Sequence, residues 1–279
     1  MAELPTRERM WLELNKKQLT LDQTNTPLQV DREEVEHFYY PLALELIRRG
    51  KHQNRLLAAV AGPPGSGKTA FATLLTAVIN AELLSEQAVM VSQDGWHYPN
   101  TYLDTHTIFH NGTTIPLRQL KGAPETYDAL AAFGFLERIK RGESLSYPVY
   151  SRTQHDPIPG AGVVSPGHRW ILVEGNYWLL EEAAWQPFQE LFDVTIFLTA
   201  DPHTLVDGLF QRHLRGGKDR TFIEEHMKKV DFPNIERVLA RSAKAQILVE
   251  KKNSQKIAGI TFRELSGSGT SSETEPGVP

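Results

Sequence analysis

Residues Gly62-Pro63-Pro64-Gly65-Ser66-Gly67-Lys68-Thr69 match the pattern G-x-x-x-x-G-K-[ST] at every fixed position. The short apolar run Arg55-Leu56-Leu57-Ala58-Ala59-Val60-Ala61 precedes them, and the helix-like segment Ala70 to Ile79 follows. Strand, glycine turn and helix therefore arrive in the order a phosphate-binding loop requires. Glycines let the backbone wrap an anion so that several N–H groups converge on it. The N-terminus of the following helix adds a favourable partial charge. Lys68 supplies a point charge for the β- and γ-phosphates, and the Thr69 hydroxyl can ligate Mg²⁺. The expected cofactors are ATP and Mg²⁺, held by Gly62 through Thr69.

The composition narrows the class. The 279 residues carry a formal net charge of −4 and no cysteine. Disulfides, thiolate metal sites and thiol nucleophiles are excluded. Aromatic residues are not interleaved with a basic stripe, so no nucleic-acid partner is expected. MAELPTRERMWLELNKKQ lacks the apolar core of a signal peptide, and no stretch reaches the roughly 18 apolar residues of a membrane span. A cytoplasmic protein without membrane contact is expected, with homodimerisation left open. Residues 1–30 read as an N-terminal extension forming a hairpin or a helix. Residues 31–265 read as one domain. The segment 266–279, SGSGTSSETEPGVP, has only one aliphatic side chain, Val278, and reads as a disordered tail.

The rest of the chain distinguishes among phosphate-loop proteins. A GTPase needs a late N-K-x-D segment, yet the only Asn-Lys is Asn15-Lys16, before the loop. A transporter-type ATPase needs L-S-G-G-Q before its second acidic strand. The segment Leu214-Arg215-Gly216-Gly217-Lys218 follows that strand and lacks the serine. A small-metabolite kinase needs a carboxylate beside the acceptor hydroxyl and a basic lid. Asp94 follows the strand-like Ala88–Ser92, where α/β sheets place their ligands. It can orient and deprotonate a hydroxyl. An ordinary Asp-Gly turn is the other reading of the same residues. Glu174 ends the apolar run Trp170 to Val173 and suits the Mg²⁺-side acid. Asp201 and Pro202 start a helix whose apolar side is Leu205, Leu209 and Leu214, widened by Val206 and Phe210. The lid is expected at about 210–222. Arg212 and Arg215 share a face there and can neutralise charge on the transferring group. A solvated helix end is the alternative.

These motifs together resemble the phosphoribulokinase/uridine kinase/bacterial pantothenate kinase superfamily over about residues 33–250. Ser92-Gln93-Asp94-Gly95-Trp96-His97-Tyr98-Pro99-Asn100 is similar to the pantothenate kinase T-x-D-G-F-x-Y-P-N segment. Leu120-Lys121-Gly122-Ala123-Pro124-Glu125-Thr126-Tyr127-Asp128 is similar to its K-G-x-P-x-S-Y-D segment. The nucleoside/nucleotide kinase-like branch, which includes fructose-transport-system kinase-like proteins, is suggested by four further stretches. These are Pro148 to Arg152, His155 to Pro159, Val173 to Leu180 and Asp231 to Asn234. The resemblance implies that Gly62 to Thr69 hold ATP and Mg²⁺, that Asp94 activates the acceptor and that Glu174 stands on the metal side. It also implies that Arg212 and Arg215 lie in the lid, and that Asn234 borders the ligands.

Acceptor-binding candidates are Asp94, Tyr98, Lys121, Tyr150, Arg152 and His155. Lys121 reads equally as a loop lysine. Asp128 reads as the N-cap of a helix with Leu130, Phe133, Leu136 and Ile139 on its apolar side. His97, His106 and His110 invite a metal reading, since His106 and His110 stand four apart, but no acidic or histidine third ligand is obviously placed, which favours a substrate-loop or surface role over zinc. In the pantothenate kinase pattern a histidine stands where this chain has Arg152. A guanidinium only donates and stays charged, which favours a polyhydroxylated or anionic acceptor over pantothenate. The expected fold is α/β, a P-loop NTPase with a parallel five-stranded sheet, helices on both faces and a basic lid. The expected function is ATP-dependent phosphotransfer to a hydroxyl of a small metabolite such as a nucleoside, sugar or related polyol. The alternative is a regulatory or assembly ATPase without a metabolite acceptor.

Overall fold

Every residue of Leu56–Ala61 is buried, which explains why this strand is apolar throughout instead of alternating. Leu56, Ala58 and Val60 pack into one core layer, and Leu57, Ala59 and Ala61 into the other. The sheet that contains it therefore has helices on both faces.

The computed structural model describes residues 6–21, 26–253 and 256–263. Its helices are α1 (Thr6–Lys16), α2 (Arg32–Glu34), α3 (Tyr40–Gly50), α4 (Lys68–Leu83), α5 (Asn100–Thr105), α6 (Ala129–Lys140), α7 (Pro202–Arg215), α8 (Arg220–His226) and α9 (Phe232–Arg241). The strands are β1 (Thr20–Leu21), β2 (Thr26–Pro27), β3 (Leu56–Ala61), β4 (Ala88–Ser92), β5 (Thr107–His110) and β6 (Thr113–Pro116). They continue as β7 (Leu145–Ser151), β8 (Asp156–Val164), β9 (Trp170–Gly175), β10 (Val194–Ala200), β11 (Ile247–Lys251) and β12 (Ile257–Phe262). A π-turn at Val35–Tyr39 joins α2 to α3, and another at Met227–Asp231 joins α8 to α9.

The central sheet has six strands in the order β12-β11-β10-β3-β9-β4. Its β4, β9, β3, β10 and β11 pair in parallel, and β12 adds an antiparallel edge to β11. The five-stranded expectation is corrected by this sixth strand. At the edge β12 is only half covered, and Gly259 and Thr261 break up its apolar residues. Three two-stranded hairpins, β1-β2, β5-β6 and β7-β8, lie outside the sheet.

The N-terminal segment forms both the helix α1 and the hairpin β1-β2, and Met10 and Leu14 of α1 join the core layer of α3 and α4. The tail expected from Ser266 lies outside the described residues. Asp128 caps α6, its carboxylate accepting from Ala131 N–H at 2.9 Å. Leu130, expected on the apolar side of α6, is 83% exposed, and Leu214, expected on that of α7, is 40% exposed. Both stand in terminal turns, where the helix has passed the edge of its core.

Candidate active site

The phosphate loop leaves β3 and enters α4. Gly65 and Gly67 have φ of +85° and +80°, a region L side chains avoid, so glycine is needed there. A Cβ at Gly65 would also run into the Leu205 carbonyl of α7. The loop is thus packed directly against the helix that leads to the lid. Lys68 is buried and donates from Nζ to the Pro63 carbonyl at 2.9 Å. Burial lowers its pKa to about 8, opposed by the nearby Glu174 carboxylate. The fully buried Ser66 Oγ has no protein partner among the described residues. An orphaned hydroxyl, an ammonium group and a glycine cradle at a helix N-terminus fit the phosphates of a nucleotide. Thr69 begins the first turn of α4 beside Lys68, where the P-loop hydroxyl that ligates Mg²⁺ belongs.

The adjacent strands bring the acids to this loop. Parallel registry places Ser92 of β4 and Val60 of β3 on either side of Glu174 in β9. Glu174 is buried, and its Oε1 accepts from Ser92 Oγ at 2.5 Å. Two residues past Ser92 stands Asp94, in a 3-10 turn formed by Gln93–Trp96. Asp94 Oδ1 accepts from Tyr127 Oη at 3.3 Å, and Oδ2 accepts from Arg152 Nη2 at 3.1 Å. Burial pushes the Asp94 carboxyl up, but Arg152, His97, Arg212 and Lys68 together hold it below its ordinary value. Lys68 and Glu174 therefore stand in one electrostatic neighbourhood with Asp94.

The β7-β8 hairpin lies against the turn that carries Asp94. At Gly95 a Cβ would run into the Pro148 carbonyl of β7; the glycine is what lets the Asp94 turn lie against this strand. The hairpin brings Tyr150, Arg152 and His155 toward Asp94. The Tyr150 ring has Lys121 Nζ 5.1 Å and Arg152 Cζ 5.8 Å from its centroid, within cation–π range. Burial and the Asp94 charge push its phenol up to about 12. Lys121 Nζ donates to Asn100 Oδ1 at 2.6 Å and to the His155 carbonyl at 2.7 Å. Burial and Arg118 lower its pKa to about 8. Lys121 thus braces the hairpin turn against α5, and the Asp156 carboxylate does the same by accepting from Asn100 N–H at 2.8 Å. Tyr98 goes elsewhere: it stacks on Tyr102 at 4.3 Å, and Tyr102 stacks on His106 at 3.6 Å.

Sequence reasoning gives His97 a substrate-loop or surface role and singles out neither Arg118 nor Lys218 for the acceptor side. His97 lies stacked on Tyr127 at 3.9 Å, with burial lowering its pKa to about 4. Arg118 and Lys218 act with Lys121 and Arg152 on His155, which their charges and burial hold below its ordinary pKa. Lys218 follows the glycine pair after α7, and only the folded chain shows that it approaches the hairpin turn.

The helix α7 starts as expected, with Asp201 Oδ1 accepting from Thr204 N–H at 3.1 Å and Pro202 in the first turn. It ends at Gly216, and α8 returns antiparallel core residues, since Leu205, Leu209, Ile223, Met227 and Ile235 form one cluster. Arg212 acts electrostatically on Lys68 and Asp94. Arg215 is exposed in the same last turn and forms no hydrogen bond or ion pair among the described residues. Asn234 is buried in α9, beside a groove shared with Glu125 and Arg237.

A phosphate loop at the end of a central parallel strand, one acid at the end of the neighbouring strand β9, a second in the turn after β4 and a basic helix end beside them define a P-loop kinase. The model of the phosphoribulokinase/uridine kinase family matches residues 57–257. The chain belongs to this family. It is 31% identical over 238 residues to “Uncharacterized protein YggC” of Escherichia coli (strain K12), covering 84% of this chain and 95% of that protein. It is 32% identical over 208 residues to “Putative uridine kinase C227.14” of Schizosaccharomyces pombe, covering 73% and 85%. Among solved structures, a “putative fructose transport system kinase” from Silicibacter sp. TM1040 superposes with a TM-score of 0.66 at 30% identity. That match covers 75% of this chain and 97% of the other. Membership makes the chain a small-metabolite phosphotransferase of a family that implies ATP binding. Among the described residues no helix is long and apolar enough to cross a membrane.

Proposed function

We propose that this kinase transfers the γ-phosphoryl group of ATP to a hydroxyl of a small anionic or polyhydroxylated metabolite. The observation that carries the reading is Asp94. It stands beyond the end of β4, two residues from the serine that holds Glu174, and receives hydrogen bonds from Tyr127 and Arg152.

Phosphoryl transfer leaves little covalent work to the protein, so positioning and charge stabilisation dominate. Lys68 and the amides of the loop hold the phosphates of ATP. Mg²⁺, when bound through Thr69 and on the Glu174 side, neutralises phosphate charge. Asp94 accepts a hydrogen bond from the acceptor hydroxyl and takes its proton as the bond to phosphorus forms. Arg212 adds positive charge at the transferring group, and Arg215 joins it when the lid closes. Arg152, Lys121 and Lys218 surround the acceptor side with positive charge, and Tyr150 gives it an aromatic wall. A carboxylate, a phosphate ester or a row of sugar hydroxyls suits that surface. His97 stays neutral at physiological pH and serves as part of the wall behind Asp94.

The test is ADP release from ATP and Mg²⁺ with a panel of nucleosides, free sugars, sugar phosphates, sugar acids and pantothenate. Acceptor-dependent release with an anionic or polyhydroxylated compound is expected. Steady ATP hydrolysis that no acceptor stimulates would instead favour a regulatory or assembly ATPase.

A further inference from the structure

The continuous helix formed by α8, the π-turn and α9 carries His226 and Asp231. Five residues apart, they would stand about 140° apart around a regular α-helix. The π-turn, closed by the Phe232 N–H to the Met227 carbonyl, inserts a residue into the turn and brings both side chains to one side. Such turns are rare and recur at functional sites. His213, in the last turn of α7, meets them there. Its Nε2 lies 2.8 Å from Asp231 Oδ2, and its ring meets His226 edge-on with centroids 5.3 Å apart. The ligand-capable atoms of the three residues all lie within 4.8 Å of one another. Asp231 is buried and both histidines are half-buried.

We propose that His213, His226 and Asp231 form a binding site for a divalent transition-metal ion of the zinc type, separate from the phosphotransfer site, which fastens the end of α7 to the α8–α9 helix. Two imidazoles and one carboxylate are a zinc, cobalt or nickel donor set. Mg²⁺ prefers oxygen ligands and is not expected there. Around a tetrahedral ion with bonds of about 2.0–2.1 Å the ligand atoms sit roughly 3.3 Å apart. The His213–Asp231 contact opens slightly and His226 turns inward to reach that geometry, leaving a fourth position for water. Burial opposes ionisation of Asp231, but the His213 hydrogen bond and the Arg212 charge hold it below its ordinary pKa, so the carboxylate is available as a ligand. The functional consequence follows from chain order. His213 is the neighbour of Arg212, whose charge reaches Lys68 and Asp94. An ion that fixes His213 fixes the direction in which Arg212 approaches the phosphates.

Titration of the tag-free, nucleotide-free full chain with Co²⁺, read by visible absorption, and with Zn²⁺ against a chromophoric chelator tests this. One ion per chain is expected, with tetrahedral cobalt bands and no displacement by millimolar Mg²⁺. His226→Gln and Asp231→Asn should each weaken uptake at least tenfold while circular dichroism stays native. Lys68→Ala should leave uptake unchanged, which separates this site from the nucleotide site and makes the result independent of the kinase reaction. Absence of stoichiometric uptake, or equal uptake by wild type and both ligand variants, would overturn the proposal and leave His213–Asp231 as a plain hydrogen bond within the lid.

Discussion

Arg152 Nη2 donates to Asp94 Oδ2 at 3.1 Å, joining the β7-β8 hairpin to the turn that follows β4. The pair places a fixed cation beside the carboxylate that would take the acceptor proton. An acceptor hydroxyl must therefore approach Asp94 next to a guanidinium fork, which can grip a second oxygen of the same molecule.

Replacing Asp94 by Asn keeps the size and removes the base. A general base typically contributes ~10²–10⁴-fold. Asp94→Asn should lose turnover on that scale while its ATP affinity, followed by fluorescent-nucleotide displacement, stays near wild type. A kcat within about threefold of wild type would make Asp94 a turn residue only.

Arg152→Lys keeps the charge and loses the planar fork. It should raise the acceptor KM by ten- to a hundredfold, roughly the worth of one charge-assisted hydrogen-bond pair, with ATP KM unchanged. In direct competition, pantothenate should be a poorer acceptor than at least one sugar-derived or nucleoside compound. A pantothenate kcat/KM above all the others would refute the specificity argument.

Lys68→Ala should abolish transfer with the fold intact, because it removes the lysine of the phosphate loop. The wild-type pH profile follows from the same residue. Lys68 is charged below about 8 and neutral above it, so kcat/KM for ATP should fall as pH rises through about 8. Bound phosphates favour the ammonium form, so the corresponding limb of kcat should lie higher. Asp94 is held below its ordinary value, so the acid limb from this group should lie below about pH 4. A flat kcat/KM across the alkaline range would show that the Lys68 charge is not needed.

Arg55 carries a structural prediction. It is buried and donates to the carbonyls of Ile139 at 2.8 Å, Ser165 at 2.9 Å and His168 at 3.0 Å, as well as to Glu143. It ties the start of β3 to the end of α6 and the loop before β9. Arg55→Met fills much of the volume and leaves these acceptors without their donor. We expect a loss of about 2–4 kcal/mol in urea unfolding, with residual activity in the folded fraction. A change under about 0.5 kcal/mol would mean that water replaces the guanidinium.

The parts of this molecule legible in its sequence are those governed by local rules. Leu56–Ala61 and Trp170–Gly175 are readable as strands because burial of both faces keeps Leu56 to Ala61 and Trp170 to Val173 free of polar residues, with Glu174 standing only at the end of its run. The ends of α7 are readable because Asp201 and Pro202 suit its start and the pair Gly216-Gly217 its end, where Gly217 takes a left-handed φ of +76°. Asp94, Lys121, Tyr150 and Arg152 are nameable one by one from the sequence, but their arrangement is not. The contact of Gly95 with Pro148 spans the whole of α5, β5, β6 and α6, and no local pattern encodes it. Edge strand β12 is silent because Gly259 and Thr261 break up its apolar residues and half of it is exposed. The charge of Lys218 acts on His155, a relation between the segment after α7 and the β7-β8 turn that charge counting along the chain does not show.

The most direct test of phosphotransfer follows the γ-phosphoryl group itself. With γ-labelled ATP, Mg²⁺ and the acceptor that best stimulates ADP release, the label should appear in a phosphate ester of that acceptor, one equivalent per ADP formed, and Asp94→Asn should suppress the ester. Label recovered wholly as inorganic phosphate, at a rate indifferent to acceptor and to Asp94, would contradict the account.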